Sequence, residues 1–310
     1  MSTRIVLDTD VAMGAPGSDI DDGFAIALAV ADPALDLELV TTVDGNTDVH
    51  SATVLAVDLL ARLGHDAPVV RGAAGPLMDP WRPREQAVPR AAPSVPGRAA
   101  QAIADRVLAS PGEVTIVAIG PLTNVATALL LDPRVAAAVR EIVVIGGYFF
   151  GQQNDVRVPG EFNVWADPEA AQIVLRSGAP LRLVGLDVTY RVRMTREQAG
   201  MLAASGRPFG AFAGECGLAW IETLRERYPR SPTHGSFHLH DPLAVAVVSR
   251  PDLVSWQPAH VRVALDGVAR GITVADTLGT HGAPEANCLV ARDVDAAAFV
   301  DLFVAAVSAL

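Results

Sequence analysis

Cysteine is almost missing from this chain: Cys216 and Cys288 are the only two in 310 residues. That excludes a disulfide framework and a cysteine-built zinc site, and leaves both thiols as small hydrophobes expected to be buried. No run of about 18 uninterrupted apolar residues occurs, so no membrane span is expected; the longest candidates are broken by Pro121, Asn124 or Arg182. Positive charge is scarce, with a net charge of −11. Arginines gather mildly in Trp81-Arg82-Pro83-Arg84 and from Arg225 to Arg230, each time interrupted by Pro or Glu. This balance argues against nucleic acid or an anionic membrane as partner. Low-complexity runs and internal repeats are lacking. No charged segment followed by an apolar one precedes the first strand-like run at Ile5, so no signal peptide is read and a cytoplasmic protein is expected.

Hydrophobic residues are abundant instead, at 50% of the chain, enough for one large α/β domain or at most two small ones. Short β-rich runs alternate with Ala-rich helical runs. The strand candidates are Arg4–Asp8, Leu37–Val43, Val114–Ile119, Glu141–Ile145 and Leu181–Leu186. Helices are expected over Asp22–Ala31, Val49–Leu63, Ala99–Leu108, Asn124–Leu131, Pro168–Ser177 and Thr195–Ala204, then Phe209–Arg227 and Asp241–Ser249. The strands read as continuous apolar runs, as when helices cover both sheet faces. The fold class is therefore α/β: an open, mostly parallel, Rossmann-like sheet flanked by helices. Two or three extra β segments follow from His260 to Val290, and a helix from Val294 to Ala309 closes the chain. Two long irregular stretches, 72–98 with six prolines and 146–162, break the rhythm; loops of that length in a compact domain are usually functional.

Polar residues collect where strands end. Asp8 and Asp10 follow the first strand, Asp44-Gly45-Asn46 the second, Gly120-Pro121-Leu122-Thr123-Asn124 the next, then Gly146-Gly147 and Asp187. Ligands of open parallel sheets bind outside the carboxyl ends of the strands. Five aspartates, Asp8, Asp10, Asp19, Asp21 and Asp22, lie within fifteen residues at the first of these junctions. Such a cluster repels itself unless protons or a cation intervene, and a hard divalent ion with oxygen ligands suits it; a solvated acidic loop with helix caps is the ordinary explanation. Asp10, Asp21 and Asp22 are the candidate ligands, joined by a segment containing Gly14, Pro16 and Gly17 that can fold back. Calcium would need about 6 to 8 oxygens, leaving room for carbonyls, water and substrate hydroxyls. Asp241, in His240-Asp241-Pro242, is a further acid, readable simply as an N-cap with Pro at N1. His240 beside it is suited to proton donation. Glu161 and Asn163, before the Asp167-Pro168-Glu169 helix start, could hold sugar hydroxyls or merely anchor their loop.

Taken together, these pieces resemble the inosine–uridine-preferring nucleoside hydrolases. The resemblance rests on the Asp-rich strand–helix turn, Gly45-Asn46 after Thr41-Thr42-Val43, Gly120-Pro121-Leu122-Thr123-Asn124, Glu161-Phe162-Asn163 with Asp167-Pro168-Glu169-Ala170, His240-Asp241-Pro242, and Gly271 to Asp276. It implies one domain over 1–310, a bound Ca²⁺, cleavage of the N-glycosidic bond of ribonucleosides in purine or pyrimidine salvage, and assembly as a homodimer or homotetramer. By the resemblance, Asp10, Asp22 and Asp241 ligate calcium by side chain and Ile119 by its carbonyl. Asp10 is also the general base. Asp21 holds the ribose 2′ and 3′ hydroxyls, Asn46, Glu161 and Asn163 contact ribose, Asn154 lies near the 5′-hydroxyl, and His240 stands by the departing base.

Two departures from the family pattern stand out. Val11–Asp21 separates Asp10 from Asp22, an insertion of about seven residues, so Asp8 or Asp19 could take a ligand's place. The usual His-Gly loop after the third strand is missing, and 72–98 offers Trp81, to stack on a purine or to pack the loop. Nucleobase preference therefore does not transfer. Two other classes compete. In a magnesium phosphohydrolase Asp8 would be the nucleophile of an Asp-x-Asp turn with Asp10, but no Lys follows at a suitable strand end. A non-catalytic nucleoside- or sugar-binding protein is the third.

Overall fold

Side chains along the strands alternate between two apolar layers, and that alternation builds the molecule. The computed structural model describes residues 2–78, 87–88, 95–151, 157–231 and 234–310. Its strands are β1 (Thr3–Thr9), β2 (Leu35–Thr42), β3 (Val69–Arg71), β4 (Val114–Ala118), β5 (Glu141–Ile145), β6 (Leu181–Val184), β7 (Arg193–Thr195), β8 (Ser236–His238), β9 (Val254–Val263), β10 (Thr273–Asp276) and β11 (Cys288–Val294). Nine of them form one sheet in the order β10-β9-β11-β6-β5-β4-β1-β2-β3. From β11 to β3 all neighbours are parallel, and β9 runs antiparallel to both β11 and β10. The expected open, mostly parallel sheet with extra strands toward the C-terminus is thus what forms.

Ile5, Leu7, Val117, Ile119, Val143 and Ile145 face one core layer. Val6, Ile116, Ala118, Ile142 and Val144 face the other, as a period of two requires. Helices Asp21–Ala31, Val49–Leu63, His240–Ser249 and Ala296–Ser308 cover the first face. Ala99–Ala109, Thr123–Leu131 and Pro168–Leu175 cover the second. Around Phe24, which is fully buried, Phe237 stacks at 5.8 Å and Phe303 meets it edge-on at 5.5 Å. Cys288 is buried as expected, whereas Cys216 is only partly so.

Several boundaries differ from the sequence reading. β6 stops at Val184 because Gly185 opens a single helical turn, Leu186–Thr189. Asp187 in that turn accepts the backbone N–H groups of Phe149 and Phe150 at 2.7 and 2.8 Å, anchoring the loop after β5. The helix expected from Asp241 begins at His240, with Leu239 as the residue before it. Asp241 is therefore not an N-cap but part of the first turn. β7 and β8 form a separate antiparallel pair in which Arg193 faces His238. Among the described residues, no helix is long and apolar enough to cross a membrane.

The order β3-β2-β1-β4-β5-β6 reverses direction between β1 and β4, which is where an open α/β sheet leaves a crevice at its carboxyl edge. Replacing Phe24 by Ala should remove about 3–5 kcal/mol of stability, seen as a lower urea midpoint. A midpoint equal to that of the parent chain contradicts this packing.

Candidate active site

Beyond the ends of β1, β2, β4 and β5 lies a cavity of about 970 Å³. Its floor is built from the first βα junction. Helix Asp21–Ala31 places Asp21 and Asp22 in its first turn, where backbone N–H groups and the helix dipole favour negative charge. Helix His240–Ser249 does the same for Asp241. The two helix starts meet: the Asp241 N–H donates to Asp21 Oδ2 at 3.0 Å. Oxygens of Asp21, Asp22 and Asp241 lie within 4.8 Å of one another. The resemblance implied the trio Asp10, Asp22 and Asp241; among the described residues the group within this distance is Asp21, Asp22 and Asp241, and Asp10 interacts with Asp22.

Asp10 is completely buried and is held by its surroundings rather than by solvent. The Asn46 N–H donates to its Oδ2 at 2.5 Å, and Oδ1 has no hydrogen-bond partner among the described residues. Asp22 accepts from the Thr9 hydroxyl at 2.5 Å and from Asn46 Nδ2 at 2.9 Å. Gly45 is required by this crowding, since a Cβ there would lie 1.9 Å from Asp10 Oδ2. Gly120 closes the other side, with a virtual Cβ 2.9 Å from Oδ1. Two strand-end turns thus clamp one carboxylate.

Burial pushes Asp10 well above the ordinary carboxylate range, and the charge of Asp22 adds to it. Asp21 and Asp241 are raised well above that range too, first by burial and then by neighbouring aspartates. Asp22 is also raised by burial, although Thr9 and Asn46 oppose the shift. Four acids from distant parts of the chain therefore share one poorly hydrated space.

Above this floor stand the remaining expected residues. Glu161 caps the short helix Phe162–Ala166, accepting the N–H groups of Asn163 and Val164 at 2.8 and 3.0 Å, and burial pushes its carboxyl up to about 7. Asn163 donates through Nδ2 to the Ile119 carbonyl at 2.9 Å. Loop anchoring is therefore real for both, yet both also line the cavity with Asn46, Ile119, Asp21, Asp241 and His240. Asp167 caps its helix through Ala170 N–H and also accepts from Thr123 and Leu77, tying the start of the 72–98 stretch to the sheet edge. Trp81 and Asn154 lie outside the described residues.

The inserted segment proves compatible with the site. Val11, Ala12 and Met13 are wholly buried, and the Arg227 guanidinium donates to the Gly17 carbonyl at 2.6 Å. Gly17, Ser18 and Asp19 then form part of the cavity wall. Asp8 lies outside the Asp21, Asp22 and Asp241 group. It is fully buried, it does not line the cavity, and its Oδ1 accepts from Thr41 and Asn124 at 2.5 and 2.8 Å. Asp10 is equally buried and likewise off the cavity wall, so burial does not separate the phosphohydrolase alternative built on Asp8 from a hydrolase built on Asp10.

Tyr190 and His238, to which sequence reasoning gave no role, complete the wall beside His240. Tyr190, His238 and His240 form an aromatic cluster, with ring centroids 5.1 Å apart for Tyr190–His238 and for His238–His240, and 5.6 Å for Tyr190–His240. Burial, aided by the charge of His238, holds His240 well below the usual imidazole range, so its ring is neutral near pH 7. The neighbouring His-Leu-His string was visible in the sequence; the role of Thr9, inside Asp-Thr-Asp, was visible only as a hydroxyl near acids.

The sequence matches the family profile described as "Inosine-uridine preferring nucleoside hydrolase" over residues 5–301. The "Non-specific ribonucleoside hydrolase RihC" of Shigella flexneri serotype 5b (strain 8401) is 36% identical over 319 aligned residues, covering 96% of each chain. The protein of that name from Escherichia coli (strain K12 / DH10B) matches with the same identity and coverage. Among solved structures, the plant nucleoside hydrolase PpNRh1 superposes with a TM-score of 0.88 at 29% identity over 100% of both chains. A purine-preferring ribonucleoside hydrolase from Gardnerella vaginalis gives 0.85 at 28% identity, covering 99% of this chain and 98% of its own. A likeness spanning the chain establishes that this protein belongs to the inosine-uridine preferring nucleoside hydrolase family, a family of N-glycosyl hydrolases.

Proposed function

We propose that the chain hydrolyses the N-glycosidic bond of ribonucleosides in a calcium-dependent reaction, releasing ribose and free base. The observation that carries this reading is Asp10 Oδ1: a buried carboxylate oxygen with no hydrogen-bond partner among the described residues, beside three further acids and near a cavity with room for a nucleoside. Asp10, Asp22 and Asp241 are the side chains that would hold the ion. The Ile119 carbonyl, which uses one lone pair on Asn163, keeps another to offer. When bound, calcium would neutralise these acids and leave positions for hydroxyls and water.

The protein's own groups then divide the work. Asp10 takes a proton from the water that attacks C1′. Asp21 accepts hydrogen bonds from the ribose 2′ and 3′ hydroxyls, while Asn46, Glu161 and Asn163 fix the rest of the sugar. As the C1′–N bond stretches, the sugar gains oxocarbenium character, and the surrounding carboxylates stabilise that positive charge. The bond's electron pair leaves with the base. His240, neutral in this setting, donates a hydrogen bond to the departing base rather than a whole proton. On the same family grounds we assign a role in purine or pyrimidine salvage, a cytoplasmic setting, and a homodimer or homotetramer.

A panel of purine, pyrimidine and modified nucleosides, assayed for reducing sugar with and without chelator, tests the reading. Release of free ribose that chelator removes and calcium restores is expected; phosphate release from phosphomonoesters without ribose release contradicts it. Asp10→Asn should lower kcat by at least about 100-fold, in the range for losing a general base, with circular dichroism unchanged. Wild-type kcat in that variant would remove Asp10 from the role.

Stability should also report the buried acids. Burial pushes Asp8 and Glu161 up to about 7, above the values of the unfolded chain. The folded state therefore holds more protons through this window, so stability is full below about pH 4 and is lost as pH rises through about 7. For chelated protein the urea midpoint should fall between about pH 5 and about pH 8, and added calcium should recover it. A midpoint that rises over that range, or ignores calcium, is the contrary result.

A further inference from the structure

We propose that Thr189 is a positioning residue that fixes the tautomer of His240, so that the nitrogen facing the substrate is the one carrying hydrogen. The inference rests on the leaving-group role assigned to His240 and assigns a second residue to it. The geometry is local and well defined. Gly185 ends β6 and opens the one-turn helix Leu186–Thr189, whose last residue reaches across to the start of helix His240–Ser249. Thr189 Oγ1 lies 2.7 Å from His240 Nδ1. Thr189 is 1% exposed, whereas the His240 ring lines the cavity.

The hydroxyl hydrogen decides the direction of this bond. If Nδ1 carried hydrogen and donated to Oγ1, the hydroxyl's own hydrogen would be buried with no partner shown among the described residues, at a cost comparable to a lost hydrogen bond. If the hydroxyl donates to Nδ1, both groups are satisfied, and a ring that accepts at Nδ1 carries its hydrogen on Nε2. Nε2 is the nitrogen left for a molecule in the cavity. It then meets the base as a donor, and its hydrogen bond strengthens as the C1′–N electron pair moves onto the base. The base takes its proton from solvent after it departs, so no imidazolate is formed. Tyr190 and His238 pack edge-on and tilted against the ring and hold its plane, but neither bonds Nδ1. Thr189 supplies that bond.

The test compares Thr189→Val, which keeps the shape and removes the hydroxyl, with Thr189→Ser, which keeps the hydroxyl. Both are assayed as the full chain with calcium, on inosine and on p-nitrophenyl riboside. Thr189→Val should lower kcat on inosine by about 10-fold, the effect of losing one hydrogen bond in the transition state, with KM nearly constant. The loss on the nitrophenyl riboside, whose leaving group needs little help, should be much smaller, and Thr189→Ser should restore most of the inosine rate. In parallel, ¹⁵N shifts of the His240 ring in the parent chain should show the Nε2–H tautomer, a readout that does not depend on Thr189→Val folding. Equal losses on both substrates, no rescue by Ser, or an Nδ1–H tautomer overturns the inference. His240→Ala separates the two levels: if it discriminates between the substrates and Thr189→Val does not, only the role of Thr189 fails. An equal loss in His240→Ala would sink the leaving-group role, and this inference with it.

Discussion

The structure depends on mutual repulsion that the fold cannot avoid. Asp21, Asp22 and Asp241 bring oxygens within 4.8 Å of one another, with Asp10 against Asp22, in a region shielded from water. At such separations each ionised pair costs about 3–4 kcal/mol if the local dielectric is intermediate. Three or four such pairs equal the whole net stability of an ordinary domain, about 5–15 kcal/mol. Either protons or a cation must therefore be part of the folded protein near neutral pH. Helix dipoles and the N–H groups of Asn46 and Asp241 offset some of the charge, but they do not cancel it.

The topology is what creates this burden and also what makes it useful. The reversal between β1 and β4 opens the crevice, and two helices begin at its rim with acids in their first turns. The small antiparallel pair β7–β8 then carries the chain from His238 straight into His240 and Asp241, setting an imidazole cluster in the same cavity as Glu161 and Asn163. A polar floor, a hydrogen-bonding wall and an aromatic wall meet in one cavity. Such a division suits a reaction in which positive charge grows on a sugar while negative charge grows on its leaving group.

Much of this was legible in the sequence, for identifiable reasons. Long periodic or continuous apolar runs marked β5 and helix Val49–Leu63 at both ends. Strand-end glycines and asparagines marked the sheet's carboxyl edge. The rest was not readable for equally physical reasons. β3, β7 and β8 are three residues each, too short to show a period. Asp21 and Asp22 are adjacent, so which one faces Asp10 depends on where the helix begins, a boundary that sequence places only to within a few residues. Thr189 bore no signal: its importance comes from a contact across 51 positions of chain. The insertion Val11–Asp21 looked disruptive, yet three buried apolar residues and the Arg227–Gly17 bond absorb it.

Calorimetric titration of calcium into chelated protein, repeated in buffers of differing ionisation enthalpy, tests the central claim most directly. The account predicts one saturable site per chain whose filling releases protons, because acids raised by burial must ionise to receive the ion, and predicts its loss in Asp22→Asn and Asp241→Asn. Binding that is absent, that releases no protons, or that survives in both variants would contradict it.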